Sequence, residues 1–442
     1  MMIKLKLLLV SVALLIMLPD YVASQEVVSL QEAIHEGLKQ NFSLQVARNN
    51  ETISENNVTP GNAGYLPSVS LRGQQSGTLN NTYQNLNDGS EVSATGIHNA
   101  TSSASINLGW TIFDGFRVQT TYQRLESFEQ LGELNTRMAV ENLVANIAAE
   151  YFNYIQQNNL LNNLKYSMDL SRERMRIDEE RYLIGSGSRL QLLQSEVFMN
   201  ADSSRLSRQY EVVRASRIRL NELMAVEDVN RMFSVADTSI VVNPSLLLDN
   251  LIQASLKGNT SLLIASRNQI ISEFDRKILA SASYPYITFN SGYGVSHNVF
   301  GASSIRNQQT LGANYGVTIG IDLFDGWNQR RRLNNADIEI ENRQLRFREV
   351  ETGLMADLHT IYNGYQNNLR LLQMENHNLE VAQETLEIAI ERYRLGALSG
   401  LELREAQQSL LEAEERLLSI QYQAKIAEIS LLQIAGKITE YL

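Results

Sequence analysis

Ile112–Phe116 reads IFDGF, and Leu323–Trp327 reads LFDGW. Each pentapeptide closes an alternating apolar/polar run. In SINLGWTIF, Ile106, Leu108, Trp110 and Ile112 oppose Asn107, Gly109 and Thr111; in YGVTIGIDLF, Tyr315, Val317, Ile319, Ile321 and Leu323 oppose Gly316, Thr318, Gly320 and Asp322. Period two with one apolar face marks a strand. Each pentapeptide also opens a stretch free of proline, from Phe116 to Leu183 and from Trp327 to Leu395. Either stretch spans about 100 Å if helical throughout. The motif is thus a strand-to-helix junction. Asp114 and Asp325 suit a helix N-cap, Gly115 and Gly326 free the turn, and Phe113, Phe116, Phe324 and Trp327 suit a membrane–water boundary.

The recurrence extends in both directions. Upstream, NFSLQVARNN (Asn41–Asn50) matches NTSLLIASRN (Asn259–Asn268), and Pro67 falls on Pro285, at an offset of 218. From the junction onward the offset is 211, which places Arg181-Tyr182 on Arg392-Tyr393, Gly185 on Gly396, and Leu190 and Leu192 on Leu401 and Leu403. One unit of about 200 residues has been written twice, which is not the pattern of a short solenoid repeat. Each copy opens on an amphipathic helix (Leu30, Ile34, Leu38; Leu248, Ile252, Leu256), with Ser29 and Glu32 forming a capping box for the first. Two strands follow, near 66–76 and 104–113 in copy one and near 285–296 and 313–324 in copy two. Polar segments, roughly 75–104 and 296–313, read as long loops. Helical hairpins are expected over 116–225 and 327–436, turning at Gly185 and Gly396, with a linker at 226–243 between copies spanning 25–225 and 244–442.

Composition narrows the compartment. Lys4 and Lys6 precede the apolar run Leu7–Leu18, and small residues Val22-Ala23-Ser24 precede Gln25, so residues 1–24 read as a secretory signal. No run of 18 apolar residues follows, so any membrane crossing must use strands. A net charge of -11 with no basic stripe argues against nucleic acid, and the absence of cysteine removes disulfides and thiolate metal sites. A soluble sandwich would need more than four strands to build two good faces.

The duplication, the two FDG junctions, ERYLIGSGSRLQLLQSE (Glu180–Glu196), ERYRLGALSGLELREAQ (Glu391–Gln407) and SLQEAIHEGLKQNFSL (Ser29–Leu44) together resemble the TolC-like outer membrane efflux protein family. The likeness covers essentially the whole chain after residue 24. It implies a homotrimer in the outer membrane of a Gram-negative bacterium, with four strands per chain completing a 12-stranded barrel continuous with a periplasmic helical tunnel. It implies a passive exit duct of a tripartite efflux or type I secretion system, with a periplasmic adaptor, an inner-membrane pump reached through it, and outer-membrane lipid as partners. The family's adaptor-contact turns fall on Gly185, Ser186 and Gly187 and on Gly396, Ala397 and Leu398. Its acidic periplasmic gate falls on Glu402 and Glu405, with uncharged Gln191 and Gln194 in copy one, and its constriction tyrosine falls on Tyr393. The family's arginine just past the glycine is replaced by Leu398.

Enzyme chemistry finds no foothold. Glu32-x-x-His35 is the single Glu-x-x-His, where a di-iron bundle needs two, and His98, His297, His359 and His377 share no ligand spacing. No cofactor is expected. A structural coiled-coil envelope protein without a pore is the competing reading, although it would have no use for polar-faced strands.

Overall fold

The computed structural model describes residues 26–303 and 305–441; the expected signal, residues 1–24, lies outside them. In chain order the elements are β1 (Glu26–Val28), α1 (Leu30–Gln40), α2 (Phe42–Asn56), α3 (Pro60–Ala63), β2 (Ser68–Asn85), β3 (Glu91–Asp114), α4 (Arg117–Leu183) and α5 (Arg189–Met224). The second copy continues with β4 (Phe233–Val235), α6 (Leu248–Gly258), α7 (Thr260–Ser281), β5 (Tyr286–Val299), β6 (Asn307–Gly320), α8 (Asn328–Arg394) and α9 (Gly400–Ile434), closed by a 3-10 turn at Ile438–Tyr441. Both copies contribute to each of two compact units.

One unit comprises Val46–Met138 and Thr260–Gly353. Its centre is a fully antiparallel sheet in the order β2-β3-β5-β6, so β2 and β6 are both edges. The strands run beyond their expected ends. β2 and β3 pair up to Asn85 and Glu91, leaving a short turn in which the Asp88 carboxylate accepts from the Ser90 amide at 2.9 Å and Gly89 sits at φ 81°. Most of the segment expected as a loop is therefore ladder. Its Ser, Thr and Asn residues keep the alternation, no proline breaks the pairing, and Asp-Gly is the one strong hairpin signal. A bulge opposite Asn80/Thr82 uses Gly96 at φ 68°, whose amide donates to Asn81 Oδ1 at 2.8 Å. β6, by contrast, stops at Gly320, four residues before Phe324.

The other unit comprises residues 26–45, 139–259 and 354–441. Here α4, α5, α8 and α9 pack along narrow apolar stripes. Val144, Ile147, Tyr151 and Ile155 of α4 bury against Ile34, Leu220, Met224 and Phe233. The duplicated stripe on α8 buries Leu358 and Tyr365 against Leu251 and Leu431. The expected capping box at Ser29 is complete: the Ser29 amide donates to Glu32 Oε2 at 2.8 Å, and the Glu32 amide donates to Ser29 Oγ at 3.2 Å. The linker supplies β4, which pairs in parallel with β1, Glu26 opposite Phe233 and Val28 opposite Val235.

Candidate functional site

Three places carry the residues singled out by the sequence: the strand-to-helix junctions, the faces of the sheet, and the tips of the helical hairpins.

At each junction two consecutive residues take the left-handed conformation, Gly115 and Phe116 (φ 68° each) and Gly326 and Trp327 (φ 69° and 65°). Sequence reasoning assigned that freedom to the glycine alone. An aromatic residue there costs roughly 1–2 kcal/mol. The aspartates also act differently from a standard N-cap. The helices begin at Arg117 and Asn328, so the cap position is aromatic, and each carboxylate reaches further in. Asp114 Oδ1 accepts from the Val118 amide at 3.2 Å, and Asp325 Oδ2 from the Gln329 amide at 2.7 Å. Phe113 and Phe116 meet edge-on at 5.2 Å between centroids, as do Phe324 and Trp327 at 5.8 Å, and Phe116, Phe324 and Trp327 stay exposed. A Cβ on Gly115 would collide with the Ser281 carbonyl oxygen, so copy one needs glycine twice over, for conformation and for space.

The sheet has two chemically distinct faces. Register aligns Val69, Leu108, Ser291 and Tyr315 in one row, and Leu71, Ile106, Tyr293 and Ala313 in the next. This apolar face is bare: Leu71 is 79 % and Tyr315 84 % exposed. The opposite face carries Ser70, Asn107, Gly292 and Asn314 in one row and Ser68, Gly109, Asn290 and Gly316 in another. On β6 the apolar positions run from Leu311 to Ile319, about 27 Å of strand, which matches the apolar band of a membrane barrel. No helix among the described residues is long and apolar enough to cross a membrane.

The hairpin tips hold a polar network. Both turns close with Schellman-type bonds: the Ser186 and Gly187 amides donate to the Arg181 carbonyl at 2.9 Å each, and the Ala397 amide to the Arg392 carbonyl at 2.8 Å. Gly185 and Gly396 sit at φ 73° and 78°. Gly187 is glycine for space, since a Cβ would stand 2.9 Å from that of Arg181; its counterpart Leu398 instead packs on the cluster of Leu386, Tyr393 and Leu403. The returning helices open with capping boxes that the sequence spells as S-x-x-Q and S-x-x-E. The Ser188 amide donates to Gln191 Oε1 at 3.0 Å, and the Ser399 amide to Glu402 Oε2 at 2.9 Å. Gln191 and Glu402 are thus helix-start residues as well as candidate gate residues. The Ser399 amide and hydroxyl hold the Glu402 carboxyl below the usual carboxylate range. Glu405 and Gln194 are exposed.

Tyr393 is buried, and its hydroxyl donates to Asp178 Oδ1. Burial, reinforced by that bond and the Asp178 charge, pushes the phenol well above its ordinary pKa. Arg181 crosses the same point: its guanidinium lies 4.7 Å over the Tyr393 ring, and Nη2 donates to the Tyr393 carbonyl at 2.6 Å. One layer further in, Arg404 forks onto Asp202 at 2.5 and 2.8 Å, and Asp202 also accepts from Ser171 Oγ at 2.5 Å. Gln407 Nε2 donates to Ser167 and Ser171. Two guanidinium groups lie over the Phe198 ring, Arg174 at 5.0 Å and Arg404 at 5.2 Å from its centroid. The Arg174 guanidinium is buried and its three nitrogens make no hydrogen bond with any described residue; burial first, then Arg404, hold it below the usual arginine pKa. A cavity of about 130 Å³ is lined here by Arg174, Arg181, Gln191, Gln194, Tyr393 and Leu398.

Arg174, Asp178, Asp202 and Arg404 escaped sequence reasoning, though a signal for two of them, Arg174 and Asp178, was present. The buried stripe of α4 continues at heptad spacing through Leu164, Ser171 and Asp178 and through Ser167 and Arg174, changing from apolar to polar toward the tip. Among the described residues no cluster of His, Asp and Glu could hold a metal.

Known proteins place this arrangement. The family model described as outer membrane efflux protein matches residues 33–226 and 251–437. Nodulation protein T of Rhizobium leguminosarum bv. trifolii is 20% identical over 387 residues, covering 86% of this chain and 79% of that protein. The cation efflux system protein CusC of Escherichia coli (strain K12) is 23% identical over 304 residues, 66% of this chain and 64% of that protein. The crystal structure of the Campylobacter jejuni CmeC outer membrane channel superposes with a TM-score of 0.76 at 16% identity, covering 92% of this chain and 86% of that one. The chain belongs to the outer membrane efflux protein family.

Proposed function

We propose that three copies of this chain form a passive exit duct through the outer membrane, fed by a periplasmic adaptor and an energised inner-membrane pump. The observation that carries this reading is the sheet. It has an apolar face bare to the outside, a polar face opposite, and two unpaired edges. An open edge is not tolerated in lipid, and four strands are too few to close on themselves, whereas three copies supply twelve. The polar rows then line water and the apolar rows face acyl chains. The aromatic pairs at the FDG junctions sit where the wall meets the interface.

The hairpin tips are the periplasmic entrance in this reading. Gly185–Gly187 and Gly396–Leu398 form the adaptor-contact turns. Glu402 and Glu405, with Gln191 and Gln194 in copy one, ring the mouth, and the Tyr393–Asp178 bond holds it narrow. Cargo passes by diffusion, and the energy comes from the pump.

The test is reconstitution. Outer-membrane fractions should yield a heat-resistant trimer that forms pores in planar bilayers, and a soluble periplasmic monomer would overturn the duct. In the same recordings, Glu402→Gln with Glu405→Gln should weaken cation preference and divalent-ion block. Unchanged conductance and selectivity would remove these two residues from the gate.

A further inference from the structure

Along the polar face, rows of four residues stack at strand spacing. From the periplasmic side they are Ser68-Gly109-Asn290-Gly316, Ser70-Asn107-Gly292-Asn314, Arg72-Ser105-Gly294-Gly312, Gln74-Ser103-Ser296-Thr310 and Ser76-Thr101-Asn298-Gln308. Of these twenty positions, Arg72 alone is charged. Its own row is otherwise Ser, Gly and Gly, and a Cβ on Gly312 would meet nothing within 4 Å. The largest side chain therefore stands in a row whose other members are among the smallest residues.

Nothing in the four strands neutralises it. Arg72 is exposed, and its guanidinium makes no hydrogen bond or ion pair with any described residue. The acidic residues of the strands are Glu91 and Asp114, at the two ends of β3; β2, β5 and β6 have none. Arg72 lies on the edge strand β2, so a neighbouring copy would present β6 to it. Because β6 carries no carboxylate, no register of that pairing could supply a counter-ion from the strand. Arg72 sits four residues, about 14 Å, above the start of β2. On the opposite face, Leu71 and Ile106 mark that height as lying within the apolar band.

We propose that Arg72 is a selectivity residue of the outer-membrane passage: one from each copy, forming a cationic ring inside the barrel that favours anionic groups on the cargo and disfavours divalent cations. This rests on the duct reading given above. The physical basis is focusing. Like charges in a narrow aqueous lumen with low-dielectric walls raise the local concentration of the opposite ion, an effect that salt screens over about 10 Å at 0.1 M and about 3 Å at 1 M. The ring is opposite in sign to the acidic pair Glu402 and Glu405.

The chain contains no cysteine, so Arg72→Cys creates a unique thiol. Single-channel recordings under a KCl gradient would compare wild type with Arg72→Gln and Arg72→Cys, all carrying the same Glu402 and Glu405. Both substitutions should lower the chloride-to-potassium permeability ratio by about twofold or more at 0.1 M salt and by less at 1 M. On the Cys variant, a methanethiosulfonate reagent bearing trimethylammonium should restore the wild-type ratio, and one bearing sulfonate should lower it further. Pores whose ratio is unmoved by both substitutions and both reagents would overturn the ring while leaving the duct intact. Wild-type protein that forms no pores would overturn the duct reading itself.

Discussion

The two hairpin tips descend from one unit but have divided their labour. In the tip contributed by copy two, Tyr393 is buried on Asp178, Arg404 is buried on Asp202, and Leu398 packs into the cluster below. At the matching positions of copy one, Tyr182 is 41 % and Leu193 47 % exposed, and Gly187 has no side chain to pack. The partners are equally one-sided: the residues matching Asp178 and Asp202 are Ala389 and Ala413. Copy one alone keeps the carboxylates, on α4 and α5, and copy two alone keeps the arginine, on α9; both copies keep the tyrosine, but the one on α8 is the one buried on a carboxylate. A symmetric duplication would have produced two copies of each contact. One diagonal has been retained, and with it the Tyr393–Asp178 and Arg404–Asp202 ties between the two hairpins.

The largest effect should come from breaking the buried fork. Asp202→Ala leaves Arg404 charged and unpartnered, and should cost about 3–5 kcal/mol in thermal or chemical unfolding. Adding Arg404→Leu copies into this diagonal the Ala413 and Leu193 of the other one, and should recover most of that loss. If the double variant is as unstable as the single one, the two diagonals are not equivalent scaffolds. Next, Tyr393→Phe should cost about 1–2 kcal/mol and raise the open fraction of the pore in bilayer recordings, whereas Tyr182→Phe should change stability by less than about 0.5 kcal/mol.

A smaller asymmetry concerns pH. Burial, then the neighbouring Glu415, push the Glu414 carboxyl on α9 up to about 7, while the matching residue in copy one is Ser203. A carboxyl whose folded-state pKa is raised favours the protonated fold, so its penalty appears as pH climbs from about 5 through about 7. Glu414→Gln should raise the melting temperature at pH 8 and leave it nearly unchanged at pH 5. The capping boxes give the smallest difference. Ser188→Ala and Ser399→Ala should each weaken a helix start by about 1 kcal/mol. Glu402 has its carboxyl pKa lowered in the fold, so its contribution is present at neutral pH and lost as pH falls below the usual carboxylate range; Gln191 has no such titration. Amide exchange at residues 399–404 should rise in acid after intrinsic-rate correction, while residues 188–193 hold.

What the sequence revealed follows from what repeats locally. The FDG pairs, the alternating strands and the proline-free helices each write their period within a few residues, and all are present in the fold. The polar segments around 75–104 were less legible. Polarity suggests a loop, but a strand with one face to water tolerates Ser, Thr and Asn, so pairing carried on through them. The junction geometry was hidden because aromatic residues rarely take positive φ, and nothing in the letters reveals that Phe116 and Trp327 do. The tip network was hidden for another reason. Arg174, Asp178, Asp202 and Arg404 look like solvated charges until two distant helices are known to face each other.

The bare edges of the sheet have a consequence for biogenesis. β2 and β6 offer 18 and 14 residues of backbone, each with one free row of amides and carbonyls. Until a neighbouring strand takes them up, such edges are templates for indiscriminate pairing, and the exposed apolar face beside them invites aggregation. In the duct reading, folding of this unit and encounter with other copies of the chain are a single event, and its apparent stability depends on how much chain is present. A cell making this protein must hold the newly secreted chain apart from others until the wall can close.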